Sequence, residues 1–310
     1  MNTQSNTMPE AFQAQSVVPV RLSTPRVLYW SVRRELCENR SLYLAPLAVA
    51  GLVLIGSLLG TIHAPERMRA ALALSPMEQI GPMMQHYRIA ALILMGIEVL
   101  IAVFYCLDAL HGERRDRSIL FWKSLPVSDV TTVLSKASIP LLVVPVITFA
   151  VTLATQWIML LMDTAVLLAS GVRVAPLWSQ VPWFQLSVML LYHLVAIHGL
   201  WFAPFYAYLI LVSGWARRAV VVWAAIPLAA IGVIEKIAFN SSHFVAMLQA
   251  HFMGGPGAGD FTATGGPMTH PLTLLTLGEF LVSPGLWIGL VIAAAFLAAA
   301  VRLRRKHGPI

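Results

Sequence analysis

Six long apolar runs leave this chain few ways to fold. Crossing a hydrocarbon core of about 30 Å takes about 20 residues of helix, and the runs at approximately 42–62, 88–110, 137–162, 184–212, 219–239 and 285–303 all reach that length. A soluble chain of 310 residues would suggest two domains, but with 58% hydrophobic and only 11% charged residues one membrane domain is the expectation. The fold class is therefore an all-α polytopic membrane protein with six transmembrane helices. The fourth run is long for one crossing, and Gly199 and Pro204 near its middle predict a tilt, a kink or a break. The first three runs do not repeat in the last three, which weakens a pseudo-symmetric carrier architecture.

Orientation follows from the basic residues, because positive loops stay in the cytoplasm. Of 21 lysines and arginines, sixteen fall on one side: Arg21, Arg26, Arg33, Arg34 and Arg40, then Arg114, Arg115, Arg117, Lys123 and Lys136, then Arg217 and Arg218, then Arg302, Arg304, Arg305 and Lys306. Arg67, Arg69, Arg88 and Arg173 fall opposite, and Lys236 lies within a run. Both termini are thus expected to be cytoplasmic. Residues 1–24 read as a flexible segment with no cleavable leader. From Pro25, Leu28, Tyr29, Val32 and Leu36 share one helical face with Arg26, Arg33 and Arg40 beside it. That pattern predicts a helix at 25–41 lying in the membrane surface, or else an extension of the first span. The 240–284 connection lacks Lys and Arg and contains GGPGAGDFTATGGP. Its flanks, Phe244–Phe252 and Leu272–Val282, are too short to cross, and are either short external helices or parts of a flexible loop. A basic tail follows at 304–310. The net charge of +7 marks topology rather than nucleic-acid binding, and Cys37 and Cys106 suggest neither a disulfide framework nor a metal site.

The charges concentrate in the connection between the second and third runs, GERRDRSILFWKSLPVSDVTTVLSK at 112–136. Glu113, Arg114, Arg115, Asp116 and Arg117 are expected to face water, and Ile119–Trp122 forms a short helix apolar on several faces, followed by Lys123. Pro126 should end it, with Ser128 and Asp129 capping the next helix. Such a helix is unstable in water alone and calls for a partner groove. In its order and its place between spans two and three of six, Gly112, Glu113, Arg114, Leu125, Pro126, Val127, Ser128 and Lys136 resemble the type-2 permease family of ATP-binding-cassette (ABC) transporters. The motif covers about twenty-five residues and the topology covers the whole chain.

The resemblance implies a permease subunit of an exporter in a bacterial-type inner (plasma) membrane. It would pair with a second permease copy, as a homodimer or heterodimer, and sit on two cytosolic ATPase subunits. Segment 112–130 would be the coupling helix: Glu113, Arg114 and Arg115 would meet charges on the ATPase, and Phe121 and Trp122 would fill its groove. Asp129 departs from the basic residue the family often places after L-P-x-S. The chain carries no G-x-x-x-x-G-K-[ST] loop, so no catalytic site or bound cofactor is expected in it, and ATP and Mg belong to the partner. Among polar residues within runs, Glu98 and Trp201 are candidates for a translocation path; Glu98 alternatively packs as a hydrogen-bonded carboxyl. His193 and His198 lie about 140° apart on an α-helix, which argues against a metal pair. A rival reading is an ion-coupled carrier using Glu98 and Glu235.

Overall fold

A computed structural model of the chain describes residues 24–75, 78–124, 127–253 and 277–306, and within them every regular element is helical. Six helical stretches are long and apolar enough to cross a membrane: Ser41–Leu72, Ile80–Arg115, Asp129–Ala169, Trp183–Trp201, Val220–Phe239 and Pro284–Lys306. The first 23 residues, Leu125 and Pro126, the Gly/Pro-rich run of the long connection and the last four residues lie outside the described residues.

Helix α1 (Thr24–Glu38) precedes α2 (Ser41–Gly60), which continues through a short 3-10 turn into α3 (Ala64–Leu72). The second crossing, α4 (Ile80–Asp108), begins earlier than the apolar run suggests. Pro82 falls in its first turn, where a missing N–H costs nothing, and Met83, Met84 and Tyr87 anchor the added turns in the interior. After α5 (His111–Arg115) and α6 (Ile119–Ser124), the third crossing is one continuous column: α7 (Asp129–Ser138), a π-helical stretch (Ile139–Val143) and α8 (Val144–Ala169). Pro140 and Pro145 remove two backbone donors there, and the chain answers with the wider i→i+5 register.

After α9 (Ala175–Ser179), the fourth run divides as its Gly and Pro predict. It comprises α10 (Trp183–Tyr192), a π-helical stretch (His193–Trp201) and α11 (Ala203–Trp215), with the break at Phe202 and Pro204 opening α11. Gly199 sits where the two π stretches meet: a Cβ on it would lie 2.5 Å from the Leu141 carbonyl oxygen. Then come α12 (Val220–Phe239), α13 (His243–Met253), α14 (Leu277–Val282) and α15 (Pro284–Lys306).

The main core joins α4, α7 and α11 through Tyr105, Cys106, Val133, Tyr206 and Ile210, closed by Ala300 of α15. By contrast α2, α12 and α15 leave Leu52, Ile237 and Val291 more than two-thirds exposed, an apolar surface that suits lipid. On α1 the expected faces are rotated. Leu28, Val32 and Leu36 turn toward the chain, but Tyr29 points out with Trp30, at 62% and 48% exposed, because the inward face is centred on a buried carboxylate, Glu35.

Candidate functional site

At the end of the bundle where α1, α5, α7 and the last turns of α15 converge, a chain of buried charges ties them together. Glu35 of α1 is 1% exposed. It accepts from Arg34 Nη2 at 2.6 Å, from Tyr105 Oη of α4 at 2.9 Å, and from Lys136 Nζ of α7 at 3.0 and 3.1 Å. Lys136 also reaches Glu113 Oε1 of α5 at 3.2 Å, and Arg34 stands 3.6 Å from that oxygen. Glu113 Oε2 takes Arg304 Nη2 of α15 at 3.2 Å, and Arg304 donates in turn to Asp129 at the start of α7. Burial would raise the Glu35 carboxyl, but Lys136 and Arg34 outweigh it and hold the group below the ordinary glutamate range. Glu38, one turn on, is pushed up instead, first by burial.

The 112–124 segment is built onto this latch. Gly112 lies close under Asp108: a Cβ there would stand 2.9 Å from the carboxylate, which would have to swing aside. Glu113 and Arg114 do not face water as expected: they are 8% and 6% exposed. Arg114 donates to the carbonyls of Gly214 and Ala216, at 2.7 and 3.3 Å, between α11 and α12. Burying these two charges is tolerable because each finds fixed partners inside the chain. Arg115, Asp116 and Arg117 do face out, with Arg115 Nη1 3.5 Å from Asp108 and Arg115 Nε 3.0 Å from Asp116. His111 donates to the Ala216 carbonyl at 3.3 Å. On α6, Leu120 and Phe121 are 59% and 60% exposed and Lys123 lies outward. Trp122 is partly covered, its ring 3.9 Å beneath the Arg34 guanidinium. Pro126 lies outside the described residues. Ser128 caps α7 as expected, its Oγ accepting from Thr131 N at 3.1 Å. Beside the latch a cleft of about 380 Å³ opens between α1 and the segment, lined by Glu38, Asp108, Asp116 and Trp122.

Deeper in the bundle, Glu98 of α4 is 1% exposed and shares a 2.8 Å hydrogen bond with His198 Nδ1 of the fourth crossing. It thus takes the hydrogen-bonded packing geometry. Trp201 lies under α13: its indole N–H donates to the His251 carbonyl at 2.9 Å, His251 Nε2 donates back to the Trp201 carbonyl at 2.9 Å, and the rings stack at 4.8 Å. The His193 and His198 rings stand 5.8 Å apart. The 140° expectation fails because the stretch is π-helical, where i and i+5 come round to one face. Glu235 accepts from Ser241 Oγ and from the His243 and Phe244 amides at 2.7–2.8 Å, turning the chain from α12 into α13.

Sequence reasoning missed Glu35, Tyr105 and Arg304 as partners of the motif residues. Arg304, expected in the basic tail at 304–310, is 5% exposed because α15 runs on through Lys306. The one signal for Glu35 was an acid amid arginines. Also missed, toward the other end of the bundle, is Asp163, whose Oδ2 accepts from Tyr87 Oη at 2.6 Å and His86 Nε2 at 2.7 Å. Among the described residues, no group of three or more His, Cys, Asp or Glu is placed to hold a metal. Comparison with family models, curated proteins and solved structures finds no match to this chain.

Proposed function

We propose that the chain is the transmembrane permease subunit of an ABC exporter in a bacterial-type inner membrane, with both termini cytoplasmic. It works with a second permease copy and two cytosolic ATPase subunits that hold ATP and Mg. The observation that carries this reading is the seat of the 112–124 segment. Four described residues of the family-like motif each hold a fixed place: Gly112 lies close under Asp108, Glu113 pairs with Lys136, Arg114 fixes the turn between α11 and α12, and Ser128 caps α7. What they hold out is a six-residue helix with Leu120 and Phe121 uncovered. A helix that short has no stability of its own in water, so a rigid buried seat beneath an exposed apolar pair supports a docking role.

On this reading the parts differ from the sequence expectation. Glu113 and Arg114 transmit rather than touch: they link the segment to α1, α7, α11 and α15, while Arg115, Leu120, Phe121 and Lys123 meet the ATPase. ATP binding that displaces the segment would move α7 and α15 through Lys136 and Arg304, which rock the third and sixth crossings. The nucleotide performs work only if it binds the two arrangements with different affinity.

Mild-detergent purification from the native cell with mass spectrometry tests this. A stoichiometric ATPase, lost on Leu120→Ala/Phe121→Ala, is the expected outcome; a chain that purifies alone and transports on an ion gradient would favour the carrier. The carrier reading has one observation in its favour, the buried Glu98–His198 pair. Its other residue, Glu235, is engaged in capping α13.

A further inference from the structure

Helix α1 has two working faces. The inward one carries Glu35 and is locked by ion pairs to α7, while Arg34 on its flank reaches Glu113 and covers Trp122. The outward one carries Arg26, Tyr29, Trp30, Arg33 and Cys37, all exposed, with Arg40 just beyond the helix end. Arg33 lies 5.0 Å over the Trp30 ring. Cations interleaved with amphipathic rings along one side of a helix match the chemistry of an anionic headgroup layer, where arginines meet phosphates and Trp and Tyr sit at the polar–apolar boundary. The exposed acid of α1, Glu38, is off this face and lines the cleft, so the outward surface is of one sign.

From this arrangement we propose that the outward face of α1 binds the anionic phospholipid surface of the membrane, and that this seating sets the position of the 112–124 segment through Glu35 and Arg34. The chain of contacts is continuous: lipid phosphate to Arg26, Arg33 and Arg40, along the rigid helix to Glu35 and Arg34, and across to Lys136, Glu113 and Trp122. Anionic lipid would thus hold the segment in its docking posture, and a neutral bilayer would let α1 and the segment drift together. The second half of the proposal rests on reading 112–124 as the docking segment; the first half does not.

The test uses the purified full chain in vesicles of phosphatidylcholine alone and of phosphatidylcholine mixed with phosphatidylglycerol, without any ATPase. The rate of maleimide labelling at Cys37 reports α1, since Cys106 is fully buried. Hydrogen exchange over 112–124 reports the segment. Anionic vesicles should slow Cys37 labelling about tenfold or more and slow exchange in the segment alongside. Replacing Arg26, Arg33 and Arg40 together by Gln should abolish both effects, and Glu35→Gln should keep the first and lose the second. Labelling that is equal in the two vesicles, or protection that depends on protein concentration and not on lipid charge, as a second copy on this face would give, overturns the proposal. Protection of Cys37 with no change in the wild-type segment overturns its transmission half. A cognate ATPase that fails to bind would count against the docking reading while leaving the lipid result standing.

Discussion

At the scale of single residues, buried charge is what distinguishes this chain from a bundle of apolar helices. Lys136 stands between two carboxylates, so Lys136→Met would leave Glu35 and Glu113 with Arg34 as the one cation still reaching both. Removing one partner of a buried pair typically costs about 3–5 kcal/mol, and thermal unfolding in detergent should show a loss of that size. Glu98 and His198 give a graded case: His198→Ala strands a carboxyl and should destabilise by a few kcal/mol, while Glu98→Gln keeps a hydrogen-bonding partner and should cost about 1 kcal/mol. The pH dependence of the latch follows from Glu35. Its carboxyl is held low, so its contribution is complete above the ordinary glutamate value of about 4.3 and is lost as pH falls through the lower folded value. Release of α1, followed by amide hydrogen exchange across Thr24–Glu38 corrected for intrinsic rates, should therefore begin only below about pH 4. Part of this was legible in the sequence. Gly112, Glu113, Arg114, Ser128 and Lys136 stood out by their order, and the cap at Ser128 is a local rule that needs no tertiary information. That Glu113 turns inward depends on Glu35 and Arg304, far off in the chain, and no periodicity reports a contact between helix ends.

At the scale of elements, the fourth crossing shows how local chemistry bends a helix. Gly199 and Pro204 marked the break, and the wider π register explains both the near approach of His193 and His198 and the close fit at Leu141. Gly199→Ala would drive a methyl into a backbone oxygen that cannot swing away, so a loss of about 1–3 kcal/mol is expected, measurable by detergent melting. Helix α13 is held by the Trp201–His251 stack and by Phe252 against Phe202 and Phe205. Burial pushes the His251 imidazole down, against a smaller opposing effect of its bond to the Trp201 carbonyl. Docking therefore favours neutral His251: its contribution is complete above about pH 6.5 and fades as pH falls. Hydrogen exchange in α13, corrected for intrinsic rates, should quicken as pH falls below about 6.5, and His251→Phe should remove that dependence. The long Gly/Pro-rich connection was recognisable by composition, but the return of α13 over Trp201 was not, because it is an aromatic contact between distant segments.

At the scale of the whole molecule, six apolar helices, a basic end and a latch that joins α1, α4, α5, α7 and α15 form one mechanical unit. The six crossings were legible because hydrophobic length is a direct physical requirement of the bilayer. Their ends were less so, since α4 and α15 extend past their apolar runs on turns anchored by Tyr87 and Arg304. Load applied at Leu120 and Phe121 has a path into the third and sixth crossings through ion pairs of Glu113 at 3.2 Å. The most direct measurement is ATP hydrolysis and transport by this chain reconstituted with whatever ATPase co-purifies with it, comparing wild type with Leu120→Ala/Phe121→Ala and with Glu113→Gln. Docking through α6 predicts that the first variant loses the ATPase altogether, and transmission through the latch predicts that the second keeps it bound and hydrolysing while transport falls. Transport that proceeds unchanged in both variants, or in the absence of any ATPase, would contradict the permease reading.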